Sequence, residues 1–68
     1  MSVVAMRYYR YFLLSRERRI SDSEQMACQT DAEAVVIAEE ILRRRPEFDC
    51  VELWSGTQRI HKVERTGI

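Results

Sequence analysis

The sequence predicts a two-layer α+β domain: a small antiparallel sheet, ordered β-β-α-β-β along the chain, with one helix packed on one face. Three observations carry this prediction. Residues 30–45 form one capped helix with a single apolar stripe. Aromatic and β-branched segments flank it, two before and two after. The linker inside each pair is short and polar, as in a hairpin, and two hairpins joined by one helix give two layers around one core.

The helix is the firmest element. Thr30 and Glu33 stand at capping-box spacing, so Thr30 can accept from the Glu33 N–H and Glu33 can reach back. Asp31 and Glu33 put negative charge at the positive end of the helix dipole, and Arg43, Arg44 and Arg45 complement the other end. Pro46 ends it by disfavouring the α conformation at Arg45. Ala34, Ile37, Ala38, Ile41 and Leu42 fall on one face.

The first strand, Arg7 to Leu14, is rich in aromatics. Tyr9, Tyr11 and Leu13 point to one side and Tyr8, Arg10, Phe12 and Leu14 to the other. Neither side is plainly polar, so both are expected to be covered, and parity alone leaves open which one meets the helix. Ser15 to Arg19 is a polar turn without the Asn-Gly or Asp-Gly pair of a tight hairpin. Ile20 to Cys28 returns as the second strand, with Ile20, Met26 and Cys28 sharing one parity. Its polar middle, Ser21 to Gln25, suits an edge strand or a bulge.

After the helix, Phe48 is expected to tuck under the helix end. Cys50 to Trp54 forms a strand with Val51 and Leu53 on one face, and Ser55-Gly56-Thr57 supplies a turn. Gln58 to Glu64 closes the sheet. Residues 1–5 and 65–68 are expected to fray, and Met6 offers an alternative start to Met1.

Composition narrows the function classes. The 68 residues fit one domain, and a chain this small buries only about 60% of its unfolded surface. Eleven basic residues, ten of them arginine, balance eleven acidic ones. No overall field attracts polyanions, and self-association is unopposed by net charge. The apolar run Tyr8 to Leu14 is short, contains Arg10 and is followed by no cleavage site, so it is not expected to act as a secretory signal. Nothing approaches a membrane span of about 20 apolar residues. Two cysteines are too few for a secreted disulfide scaffold, so a cytoplasmic location is expected.

Tyr9 to Leu13, Thr30 to Ala34 and Glu52-Leu53-Trp54-Ser55-Gly56 together resemble a family of small uncharacterised bacterial proteins, largely alphaproteobacterial. Those proteins share a Tyr-rich first strand, an Asp/Glu/Ala-rich helix and a Glu-Leu-Trp-x-Gly turn. The resemblance runs from about Arg7 to about Val63 and implies the same fold, with no assigned activity. The turn Ser15 to Arg18 departs from it in lacking the usual Asp and Gly, which implies a looser first hairpin.

Candidate chemistry is sparse. A metal site would need Cys28, Cys50 and His61 to converge, and they lack the close ligand pairs of structural zinc sites. The cysteines read as small buried hydrophobes. One Cys–His pair is conceivable, but His61, the only histidine, has no evident orienting carboxylate. Gly56 and Gly67 are the only glycines, which excludes a Walker loop and a dinucleotide fingerprint. No catalytic residue, metal or cofactor is assigned.

What remains is binding. One helix covers one side of the sheet, and the other side holds large aromatics that a second copy can cover. The sequence is therefore read as a non-catalytic interaction or accessory protein, homodimeric through the open sheet face, with Tyr8, Arg10, Phe12 and Trp54 as contact residues. Trp54 has the character of a binding anchor, although packing across its hairpin against Ile60 explains it as simply. The alternative is a nucleic-acid-binding regulator, in which Arg7, Arg10, Arg16, Arg18 and Arg19 act with the neighbouring tyrosines.

Overall fold

The structure is a computed structural model and describes residues 5–65. The expectations for residues 1–4 and 66–68, including the choice between two starts, lie outside the described residues. The elements are β1 (Arg7–Leu14), β2 (Ile20–Cys28), α1 (Asp31–Arg44), β3 (Cys50–Ser55) and β4 (Gln58–Glu64). All strand pairs are antiparallel, and the sheet order is β2-β1-β3-β4. The β-β-α-β-β domain with one helix is the architecture the sequence predicts.

β1 turns its Tyr9, Tyr11 and Leu13 side to the helix. Tyr9, Tyr11 and Leu13 are buried, and so are Val51 and Leu53, their neighbours across β3. Ala34, Ala38 and Leu42 close over them. The two alanines let the helix approach the sheet, and the long tyrosines fill the space at its margins. Ile41 is half-buried, while Ile37 is 36% exposed, so the buried stripe is narrower than the five predicted positions.

The tyrosine hydroxyls leave the core at its rim. Tyr9 donates to Asp31 in the first helical turn, and Arg7 lies 3.5 Å from the same carboxylate. Tyr11 donates to Glu24 of β2 at 2.8 Å. Glu24 of β2 and Asp31 of α1 thus serve as acceptors for core aromatics, as buried hydroxyls require.

Both helix ends are capped. Thr30 accepts from Glu33 N–H at 3.1 Å. At the other end Arg45 leaves the α region (φ −118°, ψ 77°), as a residue before proline must. Phe48 is buried under this end, with the Arg45 guanidinium 4.9 Å from its ring centre.

Arg65 differs from expectation. Read from the sequence as the start of a fraying end, it is tied to the fold. Its backbone N–H donates to Asp49 at 2.8 Å, and its guanidinium donates to the carbonyls of Phe48 at 2.8 Å, Arg45 at 2.9 Å and Leu42. A helix leaves its last carbonyls without intrahelical partners, and this planar fork reaches two of them. Periodicity gave no hint of it, because the cap comes from a residue distant in sequence.

Two turns carry the left-handed conformations. Ser15 accepts from Arg18 N–H at 2.9 Å, and Arg18 has φ 67°. A three-residue hairpin loop commonly closes on a left-handed residue, here an arginine where glycine would fit most easily. Gly56 has φ 60° in the two-residue loop between Ser55 and Gln58.

Replacing Arg65 with alanine should lower stability by about 2 kcal/mol, because its carbonyl partners lose a charged donor. Lysine should restore only part of this, since it lacks the fork. Gly56→Ala meets no atom within 4 Å, so its cost, roughly 1 kcal/mol, should be conformational alone. Urea denaturation of each variant checks both values.

Candidate functional site

Register places the candidate contact residues together. Tyr8, Arg10 and Phe12 alternate with the buried tyrosines and so project from the face opposite the helix. Across β3, Arg10 pairs with Trp54 and Phe12 with Glu52. The Phe12 and Trp54 rings meet edge to face, with centroids 6.4 Å apart. The packing of Trp54 is thus across the sheet onto β1, while Ile60 packs against the buried cluster on the helix side.

These four residues line one groove of about 490 Å³, together with Ile20, Gln25, Glu52 and Thr57. Tyr8 is 66% exposed and Ile20 62%. Ile20 corrects the parity reading. β1 and β2 shift register between Leu13 and Leu14, with Leu13 opposite Asp22 and Leu14 opposite Ile20. Ser21 is the extra residue, and a bulge of this kind reverses alternation. Ile20 therefore leaves the side held by Met26 and Cys28 and joins the open face. A polar middle in a strand signals a bulge, but only the pairing shows which residue it displaces.

Among the described residues the groove is lined by one cation, Arg10, and one carboxylate, Glu52. Arg10 forms no ion pair among the described residues. The Glu52 side chain is 18% exposed, accepts from Trp54 Nε1 at 3.1 Å and lies 3.7 Å from the Arg59 guanidinium. Glu52 thereby fixes the Trp54 indole from the same strand.

One end of this face is already covered. Leu14 and Cys50 pair there and are buried, although their alternation points them away from the helix. Arg18 reaches from the first turn to Glu64 at 3.3 Å. Because β1 and β3 lie between β2 and β4, this ion pair arches over the Leu14–Cys50 end. Lys62 at 3.3 Å joins Arg18 in holding the Glu64 carboxyl below its usual range.

The five arginines of the alternative reading are divided. Arg7 pairs with Asp31 and Arg18 with Glu64, whereas Arg10, Arg16 and Arg19 have no ion pair among the described residues. Only Arg10 lines the groove.

The nucleophile candidates are kept apart. Cys28 lies opposite Arg7 at one end of β1, and Cys50 opposite Leu14 at the other. Seven residues of strand separate those ends, about 23 Å. Burial raises both thiols above their ordinary value, so neither favours the reactive thiolate. His61 stands over Leu53 on the helix side, with Nε2 buried and 3.9 Å from Glu39. That carboxylate comes from the helix, which is why its neighbourhood was not visible in the strand. No group of three or more metal-ligating side chains occurs among the described residues. No helix among them is long and apolar enough to cross a membrane.

Burial, reinforced by the Glu24 carboxylate, pushes the Tyr11 hydroxyl up to about 12 from an ordinary 10.0. A raised value means the folded state holds its proton more tightly than the unfolded state does. The resulting stability is fully present below pH 10.0 and is lost as pH rises toward about 12. Urea midpoints measured across that window should fall steeply for the native protein and less for Tyr11→Phe.

No family model matches the chain, and neither a curated protein nor a solved structure does.

Proposed function

We propose that this protein is a small cytoplasmic interaction or accessory protein that acts by binding and without catalysis, and that it forms a homodimer through the open sheet face. The observation that carries the reading is the groove over β1 and β3, where Tyr8 and Ile20 stand mostly in solvent beside Phe12 and Trp54. Apolar side chains scattered singly over a surface are ordinary, but a contiguous set spanning several strands marks a contact site. Tryptophan, tyrosine and arginine, the residues most enriched at binding hot spots, all occur in it. The separation of Cys28, Cys50 and His61 supports a role without nucleophilic chemistry.

A second reading keeps support from one observation: Arg10 has no ion pair among the described residues and sits beside the exposed Tyr8 and the half-buried Trp54, so the groove has an arginine and two aromatic surfaces on which a base can stack. It competes for the same face as the dimer.

Analytical ultracentrifugation over a wide concentration range separates the two. The dimer reading expects a concentration-dependent rise toward twice 8.1 kDa, abolished by Tyr8→Glu or Phe12→Glu. A protein that stays monomeric throughout rejects it. If such a monomer binds a labelled single strand at low salt and releases it steeply as salt rises, the nucleic-acid reading takes its place.

A further inference from the structure

We infer that the open face binds single-stranded nucleic acid, DNA or RNA, with bases stacked on Trp54 and Tyr8 and phosphates held by Arg10, Arg59 and Lys62. This rests on the nucleic-acid reading and moves it from the arginines of the first hairpin to the sheet. It leaves the dimer as the state of the face when no strand is bound.

The strand pairing places the charges. Residues directly opposite each other in neighbouring strands share a face. Arg10 pairs with Trp54 across β1 and β3, and Trp54 pairs with Arg59 across β3 and β4. The indole therefore lies between two guanidinium-bearing positions, each one strand spacing away, about 4.8 Å. In the next row Phe12 faces Glu52, and Glu52 faces Lys62. Arg10, Arg59 and Lys62 are all exposed.

A register shift brings Arg59 to this side. His61 pairs with Leu53 and Arg59 with Trp54, so Ile60 is the extra residue. Ile60 packs against the core, and Arg59 joins the open face. β2 adds no carboxylate there. Gln25 stands opposite Arg10 and Ala27 opposite Tyr8, whereas Asp22 and Glu24 lie opposite Leu13 and Tyr11, on the helix side.

The carboxylates that β3 and β4 do contribute are engaged. Glu52 accepts from Trp54 Nε1 and lies 3.7 Å from Arg59, while Glu64 accepts from Arg18 and lies 3.3 Å from Lys62. Arg10 has no ion pair among the described residues, so cations are in excess on this face. A guanidinium offers five donors and an ammonium three, so Arg59 and Lys62 can keep their carboxylates and still donate to a phosphate. A second copy sets the excess against itself and is held by apolar contact alone. A polyanion neutralises it.

The rings then select among polyanions. An acidic peptide answers the cations only, whereas a single strand offers phosphates together with planar bases that are free to stack. The Arg18–Glu64 pair closes the Leu14–Cys50 end. The open track therefore runs from Tyr8 to Phe12, about 13 Å along β1, which suits a few nucleotides.

Trp54 is the only tryptophan, so its fluorescence reports stacking directly. Titrating short oligo(dT) or oligo(U) into the full chain at low salt should quench it, whether the free protein is monomeric or dimeric. Quenching by one of the two alone names the sugar the site prefers. Log affinity should fall linearly with log salt, and each of Arg10→Gln, Arg59→Gln and Lys62→Gln should reduce that slope by about 0.7, one phosphate contact in a single strand. Tyr8→Ala should weaken binding roughly five- to hundredfold at an unchanged slope. Arg16→Gln and Arg19→Gln, in the turn beyond the covered end, should change neither quantity. Circular dichroism confirms that each variant is folded.

A native protein that binds neither oligonucleotide at low salt overturns both this inference and the nucleic-acid reading. Binding whose slope Arg59→Gln and Lys62→Gln leave at the native value rejects this site, and the nucleic-acid reading stands. Equal affinity for a duplex or for oligoaspartate also rejects it, because neither presents an unpaired base.

Discussion

Everything in this fold follows from one helix having to cover one face of a four-stranded sheet. The contact is made by Ala34, Ala38 and Leu42 against Tyr9, Tyr11, Leu13, Val51 and Leu53. Two alanines on the helix and large residues on the sheet let the layers pack closely. The arrangement also fixes what the other face must be. β1 is a central strand, so its second set of side chains emerges between β2 and β3 with no helix above it. The open groove is the geometric remainder of the core.

Charge is placed to finish what the apolar contact leaves incomplete. Asp31 and Glu24 accept from the two tyrosines that cross the core. Arg65 supplies donors to the helix C-terminus. Arg18 closes the Leu14–Cys50 end of the open face by bonding to Glu64. A net charge of zero thus hides a division of labour, in which most charged groups are engaged locally and Arg10 is one that has no ion pair among the described residues.

The elements were legible in the sequence because each rests on local rules. The Thr30 cap, the proline stop, the strand composition and the Gly56 turn need only neighbours in the chain. Alternation sets Tyr8, Arg10 and Phe12 on one side of β1 and Trp54 on the side of β3 away from Val51 and Leu53, and only the β1–β3 pairing joins the two sides into one face. What stayed hidden depends on pairing. Ile20 changes sides because of one unpaired residue, Ser21, and alternation carries no sign of that. Glu52 enters the groove only because β3 neighbours β1. The Arg65 cap and the Glu39–His61 approach join residues on different elements, and no periodicity within one element reports them.

The sheet order also shapes how the chain reaches this structure. Each hairpin forms from adjacent strands, an event on the scale of microseconds. The β1–β3 pairing instead joins Tyr11 to Leu53, closing a loop of about 40 residues that contains the helix. Until that closure β1 has one satisfied edge and one bare edge, with the most aromatic run of the chain along it. Such an edge can capture a strand from another molecule as readily as its own β3. The helix connecting the hairpins keeps β3 near at hand, so it acts as a tether that favours the intramolecular partner during the interval when misassembly is easiest.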